Sequence, residues 1–296
     1  MKTRKYTTIV VLAIIGLFKL GDSNGQKLVR INPDTLVYKQ IDTTSLEIYA
    51  YYPLDFSIEK EYSAIVFFHG GGWNSGKPKA FNRQAMYLAS RGMVAFSVQY
   101  RVRDFNGTTP FDAVEDAKSA IRYVRANANE FKINPNMIAA GGGSAGGHIA
   151  AAAGNIEDLE PKGEDFSISS KPDALILFNP VFDNSKEGYG YRRMEGRYEE
   201  ISPLHNITSG APPTIVFLGT KDKLIPVAAA EDYKTKMENV GSRCDLHLYE
   251  GQEHAFFGKK PIKYFIETIY QADLFLKSLG YLAGEPTIYK QYSYKK

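Results

Sequence analysis

Apolar and polar positions repeat along this chain in two different periods, and the periods take turns. Residues 45–53 (SLEIYAYYP) interleave apolar and polar side chains and are rich in aromatic and β-branched types, which predicts a strand ended by Pro53. Residues 63–70 (SAIVFFHG) are a continuous apolar run, the pattern of a strand buried on both faces. A short helix is predicted over 83–92, closing at Gly92, then a strand over 93–101. From 110 to 128 the period becomes helical. Ala113, Val114, Ala117, Ala120, Ile121 and Val124 share a face, with Asp112, Glu115 and Asp116 in the first turns. Residues 136–144 (NMIAAGGGS) read as a strand running into glycines, and 145–154 as a helix of small residues. Strands follow at 173–181, 213–219 and 244–251, with helices at 227–241 and 263–280. The last of these places Phe265, Ile269, Ala272, Phe275 and Leu279 on one side.

Strands alternating with helices over this length predict an α/β protein, with a mostly parallel central sheet and helices on both faces. One connection breaks the rhythm. Residues 184–212 join two predicted strands through EGYGYRRMEGRY, a run with three tyrosines and three arginines. An ordered connection of that length is usually functional, so a small cap insertion is expected there.

The first 25 residues stand outside this pattern. A basic start (MKTRK), an apolar run over 9–18, and the small residues Ser23 and Gly25 predict a secretory signal peptide over residues 1–25. That run is too short to span a membrane comfortably. The expectation is therefore an exported protein, periplasmic or extracellular, with one domain over 26–296 and no stable membrane insertion after cleavage. The leader carries a net +3, equal to the whole chain's +3, so the remainder is formally neutral. Such a balance offers nothing to a nucleic acid or to an anionic surface. Cys244 is the only cysteine, which excludes an internal disulfide; its alternating surroundings place it in a strand rather than in a nucleophilic role. The five histidines show no metal-ligand spacing, so no metal and no cofactor is expected.

The chemistry concentrates at strand ends. Gly142-Gly143-Ser144-Ala145-Gly146 follows a predicted strand and opens a predicted helix. A sharp turn there holds a serine in a strained conformation with its hydroxyl exposed, and glycines two residues to either side leave room for it. A serine hydroxyl needs a base. Of the histidines, His254 lies just beyond a strand's carboxyl end, where ligands gather on an open parallel sheet. A carboxylate must then hold the imidazole. Asp222 is preferred over Asp183, because its strand directly precedes the one leading to His254. Residues 69–73 (HGGGW) lie after another strand. Glycines let backbone N–H groups turn toward a reacting carbon, so Gly71 and Gly72, with the N–H of Ala145, are the expected oxyanion donors. Trp73 either packs this loop or lines the substrate site. Tyr189, Tyr191 and Arg192 of the insertion are further candidates for substrate contact.

Taken together, His69 to Gly72, Gly142 to Gly147, Asp222 and His254 resemble the motifs of the α/β-hydrolase superfamily, and within it the hormone-sensitive-lipase-like serine esterases. The likeness extends over roughly residues 45 to 279, through blocks such as VQYR and GTKDKLIPVAAAEDY. It implies the α/β-hydrolase fold, Ser–Asp–His in that chain order, and carboxylic ester hydrolysis of short-chain acyl groups. It also implies a structural role for His69, which would hold the oxyanion loop. About twenty residues separate the expected cleavage site from the first predicted strand, which leaves little for the N-terminal cap common in that branch. A reduced cap, export and an aromatic rim resemble the bacterial carbohydrate esterases that remove acetyl or feruloyl groups from plant polysaccharides. A feruloyl esterase, a serine peptidase of the same fold and a catalytically idle binding protein are the alternatives at this point.

Overall fold

The computed structural model describes residues 32–293; the expected signal peptide, 1–25, lies outside them. Eight strands form one sheet: β1 (Asp34–Ile41), β2 (Thr44–Tyr51), β3 (Tyr62–Phe68), β4 (Val94–Val98), β5 (Ile133–Gly143), β6 (Ala174–Phe178), β7 (Thr214–Gly219) and β8 (Cys244–Tyr249). Their order is β1-β2-β4-β3-β5-β6-β7-β8. The β1–β2 and β2–β4 pairs are antiparallel, and every other pair is parallel.

The continuous apolar runs have the fate their composition requires. All residues of β3, β4, β6 and β7 are buried. Successive side chains of β3 serve opposite faces: Ala64, Val66 and Phe68 join one core, Ile65 and Phe67 the other. The first core is closed by helices α2 (Pro110–Ala126), α3 (Ala145–Asn155) and α4 (Val227–Asn239). The second is closed by α1 (Asn82–Ser90) and α5 (Lys263–Ser278). Helix α2 starts where the sequence signals it. Pro110 occupies the first turn, and the Asp112 carboxylate accepts the Thr109 backbone N–H at 2.9 Å. Helix α3 is buried along its whole length, which explains why it is built almost entirely of alanine and glycine.

Strand β1 falls inside the stretch read from sequence as a short lead-in. It is an edge strand whose single buried residue is Tyr38, so its apolar signal is weak. The 184–212 connection contains only short turns of helix: Tyr191–Arg193, Tyr198–Ile201 and Pro203–His205. It is anchored by Met194, Ile201 and Leu204, all buried in the first core. Among the described residues no helix is long and apolar enough to cross a membrane.

Candidate active site

Five strands bring their carboxyl ends to one edge of the sheet. There β3 delivers the loop from His69, β5 delivers Ser144, β6 Asn179, β7 Asp222 and β8 the loop carrying His254. Ser144 has φ 55° and ψ −121°, a conformation costing a residue with a side chain about 1–3 kcal/mol. Its surroundings hold it there. Its N–H donates to Phe178 O at 3.0 Å, and its carbonyl accepts from His148 N–H at 2.9 Å. A methyl group added to Gly146 would lie 2.1 Å from Phe68 O, so the helix can cross this close to β3 only with glycine at that point. Gly142 is equally confined, 2.5 Å from the same carbonyl by the same measure.

The Ser144 hydroxyl lies 2.9 Å from His254 Nε2, and His254 Nδ1 lies 2.7 Å from Asp222 Oδ2. An ionised carboxylate only accepts, so Nδ1 carries the proton and Nε2 is left to accept from the serine. The other oxygen of Asp222 accepts the N–H groups of Leu224 (2.8 Å) and Ile225 (3.0 Å), which fixes the carboxylate's orientation. Asp183 is engaged elsewhere. Its oxygens accept the N–H and hydroxyl of Ser185 at 2.7 and 2.9 Å and shape the first turn of the insertion.

Sequence reasoning passed over Asn179. It is buried, with φ 37°, and its Oδ1 accepts the N–H of Ala255, the residue after His254, at 2.9 Å. Its Nδ2 lies 3.4 Å from His254 Nε2. The signal was an Asn-Pro pair at the end of an apolar strand, which is also what an ordinary turn looks like.

Across from the serine runs the glycine loop. Gly71 has φ +128°, and a Cβ there would overlap Ser75 O at 1.9 Å, so this position admits glycine alone. The loop closes on itself through Asn74 and Ser75 N–H groups donating to Gly71 O at 3.1 and 3.2 Å. Gly70 lies against the elbow, with its Cβ position 3.4 Å from that of Ser144. Among the described residues no hydrogen bond is made by the N–H of Gly71 or Gly72. Ala145 opens α3, where the first N–H groups have no partner within the helix. His69 is buried and stacked on Tyr100 with ring centres 4.1 Å apart, and the Tyr100 hydroxyl donates to His69 O at 2.7 Å. It thus braces the start of the loop.

One candidate for substrate contact needs correcting. Trp73 is only 1% exposed, so it has no surface to offer a substrate. It is a packing residue, edge-on to His148 at 4.9 Å and tilted against Tyr189 at 5.9 Å. Arg192 is exposed, and it is the next residue, Arg193, that reaches the loop, donating to Gly72 O at 2.7 Å. Tyr189 is half-buried beside Gly72, and Tyr191 leans on Tyr198 at 5.9 Å. The period of the insertion is too irregular for sequence to say which of two adjacent arginines turns inward. Cys244 is buried in β8, and burial pushes its thiol up to about 12, far from any nucleophilic role. Among the described residues no group of three or more His, Cys, Asp or Glu side chains is placed to hold a metal ion.

Two other histidines bear on stability. Burial pushes the imidazoles of His69 and His148 from 6.5 down to about 4, only partly opposed by hydrogen bonds to Gly70 O and to Asn184. Between those values the unfolded chain binds more protons than the folded one. Stability present above pH 6.5 is therefore lost as pH falls toward 4, by up to about 3 kcal/mol for each imidazole. The urea midpoint should fall steadily across that window, and less steeply in His148→Gln. A midpoint independent of pH there would contradict the burial of two neutral imidazoles.

A mostly parallel sheet with a serine at the strand-to-helix elbow, and the histidine and carboxylate delivered by later strands, is the α/β-hydrolase arrangement. Known proteins agree. Residues 48–185 match the BD-FAE family model, and residues 179–274 match that of the dienelactone hydrolase family. The apo form of Thermogutta terrifontis esterase 2 superposes with a TM-score of 0.82 at 43% identity, covering 86% of this chain and 97% of that one. An acetylxylan esterase of Xylanibacter ruminicola is 28% identical over 73% of this chain and 45% of its own length. Esterase LipC of Mycobacterium tuberculosis is 31% identical over 65% of this chain and 52% of its own. The chain thus spans about half the length of these two curated relatives. It belongs to the α/β-hydrolase esterases, a family of carboxylic ester hydrolases, in keeping with the hormone-sensitive-lipase-like motifs read from its sequence.

Proposed function

We propose that this protein is an exported serine carboxylesterase that hydrolyses short-chain acyl esters, with Ser144 as nucleophile, His254 as general base and acid, and Asp222 as the group that holds the imidazole. The observation that carries this is the hydrogen-bonded line from Asp222 through His254 to Ser144, set at a strained elbow beside a glycine loop. In the first step His254 Nε2 takes the Ser144 proton as Oγ attacks the ester carbonyl. The oxyanion that forms is met by the N–H groups of Gly71, Gly72 and Ala145, each worth roughly 3–4 kcal/mol in the transition state. The alcohol leaves with the proton from His254, and an acyl-enzyme remains. Water, losing its proton to the same nitrogen, attacks the acyl carbon, and Ser144 leaves with that proton as the acid is released.

For the acyl group we propose acetyl or a chain only slightly longer, carried on a plant or algal carbohydrate. Structures of Thermogutta terrifontis esterase 2 with propionate and with butyrate bound support the size, and the acetylxylan esterase relative supports the alcohol. Export rests on the basic-then-apolar pattern of residues 1–25. The test is a panel of acetyl, butyryl, octanoyl and feruloyl esters on p-nitrophenol and on xylo-oligosaccharides. Preference for acetyl with the sugar acceptor is the expected result. Preference for feruloyl esters would transfer the assignment to the aromatic acyl class, and an inert protein would make it a binding module.

A further inference from the structure

The glycine loop is an awkward object to hold still. Gly71, Gly72 and Trp73 are consecutive and all have positive φ (128°, 61° and 59°). Its internal bonds end on Gly71 O, and α-helical residues beyond β4 secure only its far side, where Arg103 and Asp104 N–H groups donate to Trp73 O (3.0 Å) and Asn74 O (2.9 Å). The carbonyl between these two anchor points, that of Gly72, is held from outside by Arg193 at 2.7 Å.

We infer that Arg193 is a positioning residue: by holding the Gly72 carbonyl it fixes the Gly72–Trp73 peptide unit, and through the Gly72 dihedrals the adjoining unit whose Gly72 N–H faces the oxyanion, and so makes the 184–212 insertion part of the turnover machinery. The catalytic half of this inference rests on the esterase reading above; the structural half rests on geometry alone.

The arginine is itself fixed in place. Its guanidinium lies 5.8 Å from the Trp73 ring and 5.5 Å from the Tyr189 ring, so it contacts two aromatic faces while donating to the carbonyl. The Arg193 backbone N–H donates to Gly190 O at 2.8 Å. At Gly190 a Cβ would come within 2.9 Å of the Trp73 ring, so the absent side chain is what lets the insertion press on the loop. Behind Tyr189, Asn184 Nδ2 donates to the Tyr189 carbonyl at 3.0 Å, and Asn184 Oδ1 faces His148 Nε2 at 2.8 Å. His148 sits one turn into α3, bonded back to Ser144 O. The insertion therefore touches both sides of the chemistry, the serine's helix and the oxyanion loop. A charged donor on a carbonyl makes a stronger bond than a neutral one.

Arg193→Met keeps the aliphatic stem and removes the donor; Arg193→Lys keeps a donor and a charge but loses the planar fork. Two readouts are needed. Amide hydrogen exchange over residues 70–76, with the emission of Trp73, the only tryptophan, reports the loop directly. Kinetics on p-nitrophenyl acetate report its consequence. In Arg193→Met exchange should quicken in that segment while β3 and β5 stay protected. Its kcat should fall roughly 10- to 100-fold, as for a loop displaced by a fraction of an ångström, with KM changed by less than about 2-fold. Arg193→Lys should recover part of both. Unchanged exchange at 70–76 would overturn the inference. So would a raised KM with kcat intact, which marks a substrate contact instead. If the wild type hydrolysed no ester yet the exchange change appeared, the loop tie would stand and the esterase reading would fall.

Discussion

Replacing Ser144 by alanine is expected to lower kcat for a short-chain aryl ester by about 10⁶-fold, down to what an oxyanion site and binding supply without a nucleophile. The size follows from the unit the three side chains form. His254 Nε2 has the serine oxygen at 2.9 Å, and without that oxygen its basicity has no nucleophile to act on. The fold should survive. Among the described residues Ser144 Oγ bonds only to His254, while the backbone bonds that hold the elbow, to Phe178 O and from His148 N–H, remain. Circular dichroism and melting temperature close to wild type, with activity lost, is the required combination. Loss of fold along with activity would say nothing of a nucleophile, and for that reason both are measured on one preparation.

The second large effect belongs to Asp222→Asn, expected to lower kcat by about 10⁴-fold with little change in KM. An amide in place of the carboxylate is nearly the same size, and its oxygen still accepts from the Leu224 and Ile225 N–H groups as Oδ1 does now. Its NH₂ group then faces His254 Nδ1 at the 2.7 Å now spanned to Oδ2. Two donors cannot meet there, so the imidazole carries its proton on Nε2 and presents a donor to the serine instead of an acceptor. A variant that kept its activity would remove Asp222 from the mechanism. Asp183 would not replace it, because its carboxylate is already committed to Ser185.

Much of this molecule is legible in its sequence. The strands buried on both faces announced themselves because a residue with no polar side to present has a continuous apolar pattern, as in SAIVFF of β3. Ser144, Asp222 and His254 could be singled out because each lies beyond the carboxyl end of a predicted strand, where topology alone gathers them. What stayed hidden was hidden for physical reasons. Strand β1 buries little, so its pattern resembles that of a polar lead-in. Asn179 is a turn residue by type, and its bond to the loop of His254 is made across 76 residues of chain. Trp73 read equally as packing or as substrate surface until its burial was known. Arg193 and Arg192 are indistinguishable in a segment without a regular period; only the fold, by seating Gly190 on Trp73, decides which one meets Gly72.

The central claim is that Ser144 forms a covalent acyl-enzyme. The most direct measurement is intact and peptide mass spectrometry after incubation with an organophosphate ester, which traps such a serine at the stage of attack. The expected result is one phosphoryl group per chain, located on the peptide containing Ser144, formed in step with loss of esterase activity and absent in Ser144→Ala. Labelling at another residue, or full turnover persisting after Ser144 is modified, would contradict it.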